Sequence, residues 1–187
     1  MPIQIVTPFT TEKVKSLKVG EQVLISGTIY TGRDAAHQRM CQALERGESL
    51  PFDIQNQIIY YVGPCPPKPG QIIGSCGPTT SGRMDAYAPK LIEKGLTGMI
   101  GKGLRDQQVI KSMVRFGAVY FGAIGGAGAL ISQCITNQEI VAYEDLGTEA
   151  IRKLTVKNLP VVVIVDSEGK NLYEQGRKKY EVNEIEI

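Results

Sequence analysis

The sequence predicts a single α/β domain with one largely parallel, well-buried sheet and some antiparallel additions. Three observations predict it. Segments rich in β-formers alternate with helical ones along most of the chain, the order expected of strand–helix–strand units. The composition, 42% hydrophobic and 21% charged, is that of a globular protein and excludes a disordered one. Finally, 187 residues suffice for one hydrophobic core but not for two comfortable ones, so residues 1–187 are expected to form one domain.

After a polar lead-in, EQVLISGTIY (residues 21–30) reads as a strand that ends at TGRD, where Asp34 is placed to cap the helix AAHQRMCQALERG. QIIYYVG reads as a second strand, PCPPKPG as a rigid turn and QIIG as a third, short strand. DAYAPKLIEKG is helical, with Pro89 in the first turn and Gly95 as its stop. LTGMIGKG supplies a strand and a glycine turn. In RDQQVIKSMVRFG, Val109, Ile110, Met113 and Phe116 fall near helical spacing, and AVYFGAI follows as an apolar strand. Toward the end, EIVAYED reads as a strand, TEAIRKLTV as a short helix and LPVVVIVDSEGKNLYE as two strands joined through Ser-Glu-Gly. There is no internal repeat and no low-complexity linker.

Several function classes are excluded. FGAVYFGAIGGAGALISQCI (residues 116–135) has the length of a membrane span but is crowded with glycine; a buried strand, a glycine turn and a short buried helix explain it better. MPIQIVTPFT lacks a basic region followed by an apolar one, so a cytoplasmic protein without an export signal is expected. A net charge of +2 with dispersed lysines, and aromatics that do not alternate with basic residues, argue against nucleic acid. Cys41, Cys65, Cys76 and Cys134 form no CxxC pair and His37 is the one histidine, which argues against structural zinc.

In sheets of this kind ligands sit beyond the carboxyl ends of the strands. Three loops there carry polar residues: YTGRDAAH with Thr31, Arg33, Asp34 and His37; GPTTSGRMD with Thr79, Thr80, Ser81, Arg83 and Asp85; and GKG with Lys102. The set suits a small di-anion, because arginine donates a planar fork to a carboxylate, lysine supplies a point charge, and hydroxyls and loop amides complete the shell. Each charge-assisted bond contributes roughly 1.5–3 kcal/mol. Singly, each residue also has an ordinary use: Arg33 in a surface pair, Asp34 and Asp85 as caps, His37 as one more helical residue. The functional case rests on their combination.

FGAIGGAGA (residues 121–129) raises a dinucleotide site, with Glu144 downstream for a ribose, but the spacing fails. A fingerprint started at Gly126 needs glycine or alanine where Ile131 stands, and one started at Gly122 meets Ile124. Close helix-to-strand packing is the use expected of these glycines.

TGRDAAHQRM, GPTTSGRMDAYAPKLIEKGLTGMIGKG and GAVYFGAIGGAGAL resemble the C-terminal half, or separate β subunit, of the iron–sulfur hydro-lyases, the class I fumarate hydratases and L(+)-tartrate dehydratases. The likeness runs from about Gly20 through VVVIVDSEGKNLYE. It implies a three-layer swivelling β/β/α domain and a short dicarboxylate substrate to which water is added or from which it is removed. It further implies a 4Fe-4S cluster held by three cysteines of a partner α subunit, and a higher-order αβ oligomer. On the matching positions, Arg33, Arg83 and Lys102 are implied as carboxylate ligands and Thr79 as both a substrate contact and the base that takes the carbon-bound proton. Asp34, His37, Ser81 and Asp85 stand behind them as supporting residues. Cys65, Cys76 and Cys134 would make three cluster ligands by number, but the family places its cluster cysteines in the part that is not in this chain. Fumarate hydration is the favoured activity; L(+)-tartrate dehydration and a noncatalytic anion-binding or assembly role are the alternatives. If the glycine run does not bind a dinucleotide, saturating NAD(H) or NADP(H) leaves the melting temperature unchanged, and a ligand-dependent rise restores that reading.

Overall fold

The computed structural model describes residues 1–124 and 126–178. The strands β1 (Ile3–Val6), β2 (Gln22–Thr31), β3 (Ile58–Tyr60), β4 (Gly98–Gly101) and β5 (Val119–Gly122) each pair in parallel with the next. Two more, β6 (Ile135–Ala142) and β7 (Ile151–Val165), are antiparallel to one another. β7 also runs antiparallel to both β5 and β2, so β2, β3, β4, β5 and β7 form a closed circuit within a mixed seven-stranded sheet. The helices are α1 (Thr11–Ser16), α2 (Asp34–Glu45), α3 (Ala88–Glu93), α4 (Gln107–Phe116), α5 (Gly128–Gln133) and α6 (Leu172–Lys178). The α/β class is therefore present, but the sheet is mixed rather than largely parallel: four of its strand pairings are parallel and the three made by β7 are antiparallel. Among the described residues no helix is long and apolar enough to cross a membrane.

The central strands are apolar throughout because both of their faces are covered. Ile58, Tyr60, Ile100, Val119 and Phe121 join one core with Ile25 and Ile29 of β2 and Leu154, Leu159 and Val161 of β7. Their chain neighbours Ile59, Met99 and Tyr120 point the other way and join a second core with Met40 of α2, Leu91 of α3 and Val109 and Met113 of α4. Period-two alternation thus sends successive residues of three short strands into two separate cores. α4 shows how the ends are set: the Asp106 side chain accepts the Val109 N–H at 2.8 Å, and Gly117 closes the helix at φ +77°. Pro89 lies in the first turn of α3 and Gly95 follows that helix with positive φ, as the sequence indicated.

Five further expectations are corrected. QIIG is not a strand: Gln71 N–H bonds back to Lys68, Cys65 N–H to Ser75, and the loop folds onto itself. Asp34 is the first residue of α2, whose N-cap is Arg33, and its carboxylate makes no capping bond. TEAIRKLTV is not a helix, for Ile151 onward is β7; pairing with β2 on one side and β6 on the other overrides a pattern that suits either state. LPVVVIVDSEGKNLYE holds one strand rather than two. Asp166 is fully buried and takes the N–H groups of Glu168 and Lys170, and Asn171 then accepts the Tyr173 N–H to start α6. The polar lead-in holds β1 and α1, and Phe9 and Val14 within it are fully buried.

The segment from Phe116 to Ile135 does hold a buried strand and a glycine turn, although α5 buries Gly128 and Ile131 and leaves Leu130 exposed. Its glycines serve close packing of a different kind from that expected. A Cβ on Gly122 would meet Ile164 of β7 at 2.8 Å, and one on Gly128 would meet Ser75 Oγ at 2.5 Å, so the neighbours are a strand and a loop. Phe121, fully buried with its ring centroid 5.6 Å from that of Phe9, locks the N-terminal segment onto β5. Phe121→Ala is expected to cost about 3–5 kcal/mol of unfolding free energy in urea titration, and a loss below about 1 kcal/mol would show that this core is not close-packed.

Candidate functional site

The loops that leave β2, β3 and β4 lie together at the carboxyl edge of the parallel strands. The first begins at Thr31, whose hydroxyl donates to Ala150 O and accepts from Arg152 N, tying β2 to β7 rather than facing a ligand. Arg33 follows. Its Nη2 lies 3.1 Å from Glu149 Oε1, and its Nε is buried without a hydrogen-bond partner, 3.9 Å from Asp34 Oδ1. Asp34 turns its other oxygen to the second loop, where Arg83 Nη2 donates to it at 2.7 Å. His37, one turn into α2, is fully buried.

His37 Nδ1 donates to the Arg33 carbonyl at 2.8 Å, so this nitrogen carries the proton and Nε2 presents a lone pair, buried and unpartnered. The ring stands edge-on to Tyr61 at 5.2 Å. Burial, reinforced by the nearby Arg105 guanidinium, holds the imidazole pKa down to about 4, although its backbone bond and Asp34 pull the other way. His37 is therefore neutral at pH 7.

The second and third loops are bonded together through the backbone. Thr80 and Lys102 form an isolated parallel bridge, with Ser81 N donating to Lys102 O at 2.8 Å and Lys102 N to Thr79 O at 3.3 Å. Thr79 N donates to Tyr61 O at 2.7 Å, and among the described residues its hydroxyl is unengaged. Ser81 is fully buried and its hydroxyl is given to Tyr120 OH at 2.8 Å. That contact needs a glycine opposite, since a Cβ on Gly101 would lie 2.0 Å from Ser81 Oγ. Arg83 is half exposed and Lys102 exposed, and among the described residues Lys102 has no ion-pair partner. Asp85 closes the short 3-10 turn Ser81–Met84 through its backbone, and its carboxylate makes no cap of its own: one oxygen accepts Arg105 Nε and the other Asp106 N.

The structure thus brings Arg33, Asp34, Thr79, Arg83 and Lys102 to one edge, and assigns Thr31, His37, Ser81 and Asp85 to the framework behind it. Sequence reasoning missed Glu149, hidden in the segment read as a helix, and missed Arg105 with Tyr61 and Tyr120. The doubled tyrosine of QIIYYVG was the available signal, because adjacent strand residues must face opposite cores. Of the thiols, Cys76 is fully buried, donates to Gly74 O at 3.3 Å, and is pushed up to about 12 by burial; Cys65 is exposed and Cys134 half-buried at the end of α5. Among the described residues no three histidine, cysteine or acidic side chains group as a metal site.

Fold and site together define an α/β domain that presents cations and hydroxyls from strand-to-helix loops on one open edge. The chain belongs to the family described as Fumarase C-terminus, whose model matches residues 1–176. It is 39% identical over 166 residues to the aerobic class I fumarate hydratase of Salmonella typhimurium, covering 88% of this chain and 29% of that enzyme. It is 38% identical over 184 residues to a protein of Methanocaldococcus jannaschii provisionally named L(+)-tartrate dehydratase subunit beta, covering 94% of each chain. This chain therefore spans less than a third of the fumarate hydratase and nearly the whole of the subunit.

The depressed His37 pKa gives a stability prediction. The unfolded chain takes up a proton near pH 6.5 and the folded chain near 4, so stability present above 6.5 is lost as pH falls through that window, by about 3 kcal/mol from this group. His37→Asn is expected to flatten the dependence of urea-unfolding free energy on pH between 6.5 and 4, and an unchanged slope would assign it to other groups.

Proposed function

We propose that this chain is the β part of an iron–sulfur hydro-lyase, supplying the carboxylate-binding wall of an active site completed by a separate α subunit. The observation that carries the reading is the pair of junctions, Asp34 to Arg83 and Thr79–Ser81 to Lys102, that unite three cation-bearing loops. The closed strand circuit with a core on each side of β3, β4 and β5 supports the finer assignment to the three-layer swivelling β/β/α class. Residues 1–187 are then one domain equivalent to the C-terminal (β) half of a class I fumarate hydratase, a reading supported by the family match over residues 1–176.

Arg33, Arg83 and Lys102 bind the two carboxylates of the substrate. Removing a proton next to a carboxylate loads that group with a second negative charge, so fixed cations there stabilise the transition state more than the ground state. Thr79 offers an unengaged hydroxyl beside the Lys102 strand end, where it can meet the carbon-bound proton. A 4Fe-4S cluster, when bound by the α subunit, supplies Lewis-acid polarisation of the leaving or entering hydroxyl. The chain works in the cytoplasm as part of an αβ oligomer.

Fumarate plus water to L-malate is the favoured reaction. L(+)-tartrate dehydration is the second reading, favoured by the 94% coverage of the subunit-beta relative. Anaerobic reconstitution with the cluster-bearing subunit, followed by kinetics with fumarate, malate and L(+)-tartrate, is expected to give turnover on the first two and none from this chain alone. Turnover by the chain alone without iron would overturn the mechanism. Thr79→Val is expected to lower kcat about 10²–10⁴-fold, and Arg83→Ala to raise KM at least about tenfold; unchanged constants would remove those residues from the site.

A further inference from the structure

We propose that Arg105, which lies outside the substrate-binding set, is a positioning residue whose buried guanidinium holds the three cation-bearing loops in one register. The inference rests on the hydro-lyase reading for its catalytic consequence and on the geometry alone for the register.

The Arg105 side chain is completely buried. It lies between two tyrosines of the central strands, its guanidinium carbon 5.3 Å from the Tyr61 ring centre and 5.1 Å from that of Tyr120. From this point contacts run to every loop of the site. Nε donates to Asp85 Oδ1 at 2.7 Å, and Asp85 is two residues from Arg83 on the same turn. The other Asp85 oxygen takes the Asp106 N–H at 2.8 Å, which closes the turn after β4. Tyr120 OH accepts from Ser81 and donates to Gly103 O at 2.9 Å, joining the Thr79–Ser81 segment to the residue that follows Lys102. Nη1 donates to Tyr61 OH at 3.4 Å, and the Tyr61 ring carries His37, which holds the Arg33 carbonyl. The Tyr61 carbonyl takes the Thr79 N–H. Arg33, Thr79, Arg83 and Lys102 are therefore each within a few contacts of one guanidinium.

An apolar side chain in this slot would satisfy the core without desolvating a charge. What arginine adds is direction: a planar donor fixed by two ring faces and a carboxylate sets the angle between the loops as well as their contact. A dicarboxylate reads that angle and a monocarboxylate does not, because one carboxylate can be met by one cation wherever it stands.

The test uses the αβ pair reconstituted anaerobically, with succinate and butyrate as competing ligands of equal length, and amide hydrogen exchange on the full chain. Arg105→Lys, and Tyr120→Phe as the milder probe, are expected to raise the succinate inhibition constant about tenfold while butyrate changes less than about twofold. Amide protection at Ser81, Lys102 and His37 is expected to fall together, with β1 and β6 unaffected. Equal losses for both ligands, unchanged succinate binding, or unchanged protection in folded variants would each overturn the inference. A silent wild-type pair would instead refute the hydro-lyase reading, and the exchange result would still decide the register.

Discussion

The antiparallel pairing of β2 with β7 is the contact on which the rest of the architecture depends. Its register runs from Gln22 opposite Val162 to Tyr30 opposite Lys153, and it joins the end of the sheet back to its second strand. Without it, the inner faces of Ile58, Tyr60, Ile100 and Phe121 would meet water instead of Leu154, Leu159 and Val161. The same pairing sets the entrance to β7 beside the exit of β2, which brings Glu149 against Arg33 across more than a hundred residues of chain. One strand pair thus closes the core and places a carboxylate in the site.

Two of the three cations at that edge, Arg33 and Arg83, are already engaged within the chain. Arg33 faces Glu149 in a largely buried pair and Arg83 faces Asp34 in one open enough to water to contribute little stability. Their value is geometric. A guanidinium has five donors, and a pair that uses one or two of them fixes the plane while leaving others to meet a second carboxylate. Holding long side chains in place in the free protein removes part of the entropy cost of binding. Among the described residues Lys102 has no such ion-pair tether, and its flexible stem keeps the rotamer freedom that the arginines have given up.

How far the sequence disclosed this arrangement depends on the range over which each feature is determined. β2, β3, β4, β5, α2, α3 and α4 were legible from local pattern: Pro89 and Gly95 bound one helix, and the spacing of Val109, Ile110 and Met113, all buried in the fold, marks another. β7 was half lost, since Ile151 and Leu154 fit a helical face as well as a strand and only the partners on both sides decide. The three loops were found from residue chemistry, and their mutual contacts were not, because Asp34 and Arg83 are brought together only by the fold. Asp34 reads locally as a cap; tertiary structure gives its carboxylate to Arg83, and the N-cap position falls on Arg33. Arg105 was invisible for a related reason: a lone arginine after a glycine turn looks solvated until two tyrosines are seen to enclose it.

Gly101 and Ser81 share a single volume, for the space a methyl group would take on one is already filled by the hydroxyl of the other. Positions twenty residues apart therefore behave as one site in any attempt to redesign these loops. Enlarging residue 101 removes the room for the serine, and losing the serine leaves the Tyr120 hydroxyl with its bond to Gly103 O alone, so that it no longer spans two loops. Changes at this junction will be tolerated more readily in pairs than as single substitutions.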